Sequence, residues 1–242
     1  MQGLARWMVM GAVLVLAGCV GVTPSQTPPA GGTAGAEKVT VSSKVRAQRA
    51  AKQFVAVVNT VEPVAESECR KRAKGANCDF QIVVDDRPGQ PPNAYQTLDK
   101  TGRPIIAFTL ALIADVRNAD ELAFVMGHEA AHHIAGHIQR QKENAAAGAV
   151  IFAGLAVLTG ADASSVQSAQ DLGAAVGARS YSKEFELEAD ALGTVITKRA
   201  GYNPLIGAEF FTRIPDPGNR FLGTHPPNAQ RIETVRRVAA QM

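Results

Sequence analysis

The sequence predicts an α-rich α+β fold in which a small edge sheet lies beside one motif-bearing helix. Three observations carry this reading. Val45, Phe54, Val57, Val58 and Val61 form a helical stripe between Val41 and about Arg72. Three short strand-like segments follow between Phe80 and Phe108. From there the pattern is helical almost to the end. With 242 residues and 46% apolar content, the chain can bury one sizeable core. The net charge of +3 is small and the Lys and Arg residues are scattered, so nothing in the composition points to nucleic acid.

At the N-terminus, Arg6 precedes an apolar run from Trp7 to Ala17, followed by Gly18 and Cys19. This is the layout of a secretory signal over residues 1–18. It is too short for a membrane span, which needs roughly 20 apolar residues. Leu16-Ala17-Gly18-Cys19 resembles the bacterial lipobox, which implies cleavage before Cys19 and lipidation of its thiol. Val20, where retained lipoproteins carry Asp, implies an outer-membrane lipoprotein facing the periplasm, with the lipid as its membrane contact. Residues 19–38 are mostly Gly, Pro, Ser, Thr and Ala and read as a flexible linker to a domain of residues 39–242.

The first helix of that domain is expected to break near Pro63. Cys69 and Cys78 are the two cysteines that remain, and an even remainder in an exported chain predicts a disulfide. It would staple an exposed turn and add less than roughly 3 kcal/mol. Phe80 to Val84 reads as a strand ended by the turn at Asp85-Asp86-Arg87-Pro88-Gly89. Asn93 to Leu98 and Pro104 to Phe108 read as strands around Lys100-Thr101-Gly102. Asn118 or Asp120 caps the next helix, with Glu121 in its first turn and Gly136 weakening its far end. Ala145 to Leu158 is almost wholly apolar but short for a span. It reads as a buried or partly buried helix, the other reading being a hydrophobic flap near a membrane face or over a site.

Residues 126–137, MGHEAAHHIAGH, hold four of the five histidines. On a helix His128 and His132, four apart, share a face and can reach one ion. Glu129 lies beside the first and can reach a water on the open side. This is the His-Glu-x-x-His arrangement, in which the Glu serves as general base. His133 and His137 fall off the ligand face and read as structural or as outer partners. A catalytic zinc needs a third protein ligand and an open position. The run YSKEFELEADALG from Tyr181 supplies Glu186 and Asp190, again four apart. One carboxylate can bind metal while the other orients a ligand histidine through its ring N–H.

Together these motifs resemble the HtpX and CAAX-prenyl-protease-like zinc metallopeptidases, especially the small periplasmic lipoproteins among them. The resemblance covers about residues 41 to 237 and implies a zincin-type fold binding one Zn2+ per chain. It makes Glu186 the third ligand and Asp190 the residue behind the ligands, and leaves Glu188 a surface or salt-bridge role and Glu184 a structural one. Asn93-Ala94-Tyr95 resembles the family's substrate-binding strand edge, and Thr224-His225-Pro226-Pro227 with Arg231-Ile232 its C-terminal segment. It implies that His225 approaches the metal, stabilising an oxyanion or closing the fourth position. Two departures stand out: Lys183 where relatives have Arg, and Thr109-Leu110 where they have Gly-Leu. The implied activity is endoproteolysis of misfolded or unassembled envelope proteins, with polypeptide substrates and the outer-membrane protein assembly machinery as partners. A periplasmic chaperone or assembly factor with a closed zinc site fits the same ligands, but a site without hydrolysis has no use for Glu129. A different zinc hydrolase on the same motif is a third reading.

Overall fold

The structure is a computed structural model that describes residues 33–220, 223 and 225–242, with side chains from residue 42 onward. The signal segment, Cys19 and most of the linker lie outside the described residues. The chain divides into two units, residues 1–40 and 41–242, and the site lies in the second.

Helix α1 spans Thr33–Arg72. Residues 33–38, read as linker, are therefore helical; Ala34, Ala36, Glu37 and Lys38 are good helix formers. The expected break at Pro63 does not occur. Pro63 removes the bond to the Asn59 carbonyl, but Phe54, Val57, Val61, Ala65 and Cys69 bury one face on both sides of it. That burial outweighs the local cost of about 3 kcal/mol. Cys69 at the end of α1 is bonded to Cys78, with Cα atoms 5.7 Å apart.

Strands β1 (Gln81–Asp85), β2 (Ala94–Leu98) and β3 (Pro104–Thr109) form a sheet of order β1-β3-β2. β3 is central and almost wholly buried; it pairs parallel with β1 and antiparallel with β2. Its inner residues Ile106 and Phe108 pack with α1, and the Phe54 and Phe108 rings meet edge to face at 5.2 Å. The β2–β3 turn is held by Asp99, whose carboxylate accepts from the Thr101 and Arg103 backbone N–H groups. Gly102 takes the positive φ of +85° that this turn requires. Short helix α2 (Leu110–Asp115) is capped by Thr109, whose hydroxyl accepts from Leu112 N–H.

Helix α3 (Ala119–Ile134) starts at Asn118, whose side chain accepts from Glu121 N–H. It is buried over most of its length, and it contacts β2 on one side and α6 (Ser182–Arg199) on another. Between them run α4 (His137–Leu158) and α5 (Ala163–Arg179), which pair tightly as a hairpin. A Cβ at Gly148 or Gly173 would lie 2.1 or 2.2 Å from the other's carbonyl oxygen, so the two backbones touch. The apolar stretch Ala145 to Leu158 is a partly buried helix, one of the readings its composition allows. Its Ala and Gly side faces α5, while Val150, Ile151, Leu155, Val157 and Leu158 are exposed. Among the described residues no helix is long and apolar enough to cross a membrane. Short α7 (Pro204–Gly207), a 3-10 turn (Ala208–Thr212) and α8 (Asn228–Ala239) complete the fold, and α8 packs on α6.

Candidate metal centre

Two helices with almost no side chain at their crossing make the site. A Cβ at Gly127 on α3 would lie 3.0 Å from Gly193 O, and one at Gly193 on α6 would lie 2.9 Å from His128 N. This close approach brings the histidines of α3 against the carboxylates of α6. His128 Nε2 is 3.0 Å from His132 Nε2 and 3.6 Å from Glu186 Oε2, and His132 Nε2 is 3.4 Å from Glu186 Oε1. The three residues each offer a ligand atom within 4.8 Å of the others. A tetrahedral ion with bonds of 2.0–2.1 Å places its ligands about 3.3 Å apart, so two imidazoles and a carboxylate at these separations fit zinc.

His128 Nδ1 is 2.9 Å from Asp190 Oδ1, and Asp190 is fully buried. Nδ1 therefore carries the proton, donates to Asp190, and leaves Nε2 to face the other donors. Arg231 of α8 clamps the same carboxylate, donating from Nε and from one terminal nitrogen at 2.7 Å each. It also lies 3.4 Å from Glu186 Oε2, and its guanidinium stacks 4.0 Å from the Phe211 centroid. Burial pushes the Asp190 carboxyl up, but hydrogen bonds from Arg231 and His128 outweigh this and hold it below its usual range. Burial likewise opposes ionisation of Glu186, yet His225, His128, Arg231 and His132 together hold its carboxyl well below the carboxylate range. Burial, aided by the neighbouring His128, pushes His132 down to about 3, so this ring is neutral and has a lone pair to give.

Glu129 lines the same cleft, of about 680 Å³, with Asn93, Ala94, Tyr95 and His225. Burial raises its pKa, reinforced by the negative Glu186 and opposed by the neighbouring His128 and Arg231. Asn93 O accepts from Thr109 N–H, and Arg103 O accepts from Asp99 N–H at the other end of the ladder. Alternation between them turns the peptide groups of Ala94 and Gln96 outward, toward the cleft edge. The Tyr95 hydroxyl donates to Asp85, whose carboxyl Arg87 pushes down to about 2. His225 is 55% exposed and its Nδ1 is 3.1 Å from Glu186 Oε2, so it reaches the ligand carboxylate from the open side.

The two sequence departures are both accommodated. Lys183 Nζ donates to the Asn219 side chain and the Arg220 carbonyl, tying down the segment before His225. The Thr109 hydroxyl bonds Pro91 O and Asn93 N, fixing the entry to β2. One participant did not stand out in the sequence: Arg231 was visible only as part of a C-terminal motif, and a basic residue between apolar helix positions was the signal. His137 was read as structural or as an outer partner, since on a continuous helix five residues past His132 takes it off the ligand face. The helix is not continuous: Gly136 adopts φ +68°, and the turn brings His137 Nδ1 to 2.8 Å from His132 Nδ1. His133 instead bonds the Asn77 carbonyl beside the disulfide. Glu188 pairs with Arg140 at 2.7 Å.

Residues 51–239 match Peptidase family M48. The beta-barrel assembly-enhancing protease of Escherichia coli O157:H7 is 30% identical over 147 residues, 52% of this chain and 28% of that protein. The mitochondrial metalloendopeptidase OMA1 of Saccharomyces cerevisiae is 28% identical over 166 residues, 64% of this chain and 46% of that protein. The chain thus spans less than half the length of either relative. The matched region takes in both motif helices, the edge strand and α8, and by it the chain belongs to peptidase family M48.

Proposed function

We propose that the chain is a zinc-dependent endopeptidase of the bacterial envelope, acting on misfolded or unassembled envelope proteins. The observation that carries this is the spacing of His128 Nε2, His132 Nε2 and Glu186, with the Glu129 carboxylate in the same cleft. His128, His132 and Glu186 would hold zinc, which when bound would supply Lewis acidity toward a peptide carbonyl and water. Glu129 takes the proton of the attacking water and delivers it to the leaving amine nitrogen. Its raised pKa suits the second task. The substrate lies extended along β2, pairing with the outward peptide groups at Ala94. Asn93 and Tyr95 shape that edge through their bonds to Thr109 and Asp85. His225, exposed opposite, donates to the oxyanion or, in a resting state, covers Glu186. Envelope substrates and contact with outer-membrane assembly machinery are suggested by the likeness to the beta-barrel assembly-enhancing protease of Escherichia coli O157:H7.

The test is zinc content beside casein cleavage. Glu186→Ala is expected to lose the metal, because three protein ligands become two. A Glu186→Ala chain with full zinc would mean the third ligand lies elsewhere.

We also propose that Cys19 carries the lipid that holds the chain at the outer membrane. Cys19→Ala is expected to abolish labelling by a palmitate analogue. Wild-type protein that takes up no label would end this reading.

A further inference from the structure

We propose that His137 and Glu188 form a positioning chain behind His132, fixing the ring in the one tautomer and orientation that present Nε2 to the metal. The inference rests on His132 being a ligand.

The geometry leaves one solution at each link. His132 Nε2 faces His128 Nε2 and Glu186, so its lone pair lies there and its proton on Nδ1. Nδ1 is 2.8 Å from His137 Nδ1. Two imidazole nitrogens at that distance share one proton, so His132 donates and His137 accepts. A neutral His137 then carries its own proton on Nε2, which is 3.2 Å from Glu188 Oε2. A carboxylate only accepts, so the chain ends there. Arg140 fixes that carboxylate at 2.7 Å.

The surroundings hold the middle ring rigidly. His137 is buried and stacks on Phe185 with centroids 4.5 Å apart and planes 10° apart. The Arg140 guanidinium lies 4.3 Å from the same Phe185 centroid. Gly136 makes the arrangement possible, since its left-handed conformation turns α4 so that its first residue faces α6.

Each ligand histidine thus has its own orienting carboxylate, by a different route. His128 meets Asp190 directly, whereas His132 reaches Glu188 through an intervening ring. The spacer has a physical reason. Glu186 and Asp190 already place two carboxylates inside, and a third at contact distance would add like charge there. Interposing an imidazole moves the third carboxylate out to the half-exposed Glu188, beside Arg140.

The experiment measures zinc affinity of the full chain by chelator competition, with the cobalt-substituted visible spectrum and the melting temperature of the metal-free chain. His137→Phe keeps the stacking and removes the hydrogen bond. It is expected to weaken zinc by about 10–100-fold and to alter the cobalt spectrum, while the metal-free melting temperature stays put. His137→Gln, whose amide can accept from His132 and donate to Glu188, is expected to restore most of the affinity. Wild-type zinc affinity in His137→Phe would overturn the proposal. So would an affinity loss matched by a fall in the metal-free melting temperature that His137→Gln does not repair, because the residue would then be merely structural. His132→Ala run alongside separates the two levels. If it too binds zinc like wild type, the ligand assignment itself has failed; if it loses zinc while His137→Phe does not, only the positioning chain has.

Discussion

Glu129→Gln is expected to keep zinc near one per chain while cleavage of an unfolded protein such as casein falls by about 10²–10⁴-fold. The two readouts separate because Glu129 is not among the three residues whose ligand atoms converge. It sits on the same helix, one residue beyond His128, and lines the cleft beside β2. The amide of Gln retains the shape but cannot accept a proton. Zinc analysis and casein digestion on the same preparations check this. A Glu129→Gln chain that maintains envelope integrity in cells as well as wild type would transfer the function to the chaperone reading, for which Glu129 is dispensable.

Arg231→Leu is expected to destabilise the folded chain by about 3–5 kcal/mol, read from the midpoint of urea unfolding. The Asp190 carboxylate is fully buried, and Arg231 supplies two of its hydrogen bonds. Without the guanidinium it remains inside with His128 alone. Asp190→Asn on top of Arg231→Leu is expected to recover part of the loss, since the uncompensated charge is removed. The sign of the pH dependence follows from the depressed Asp190 carboxyl. Its contribution to wild-type stability is present above the ordinary carboxylate pKa and fades as pH falls through the lower folded-state value. The gap between wild type and Arg231→Leu is therefore expected to narrow in acid. A gap independent of pH would show that Arg231 contributes through packing on Phe211 rather than through charge.

How much of this could be read from the sequence depended on whether the signal was local. His128 and His132, or Glu186 and Asp190, are one helical turn apart, and spacing along one helix is enough to put them on one face. The Asn118 cap and the turn at Lys100-Thr101-Gly102 were local in the same way, each set by residues within a few positions. What failed depended on tertiary contacts. Pro63 should end a helix by its own chemistry, and only burial of Val61 and Ala65 explains why it does not. Ala145 to Leu158 was legible as a partly buried helix, but which side faces out was not: Gly148 and Phe152 pack against Gly173 while Val150, Ile151 and Leu155 are exposed. The parallel pairing of β1 with β3 and the place of Arg231 beside Asp190 join distant segments, for which no periodicity exists. His137 was legible as a structural or outer partner, but its contact with His132 was not, because one glycine at positive φ reset the helical count.

The Arg231 clamp also bears on the order in which a ribosome makes the chain. Arg231 follows Asp190 by 41 residues and His128 by 103. A growing polypeptide that has reached the end of α6 already carries both histidines, Glu129, Glu186 and Asp190. It still lacks the counter-charge that lets Asp190 stay ionised inside and hold His128 in register. On the proposed endopeptidase function, competence to cut therefore waits for α8, and a growing chain that stops short of it carries the ligand residues without a finished site.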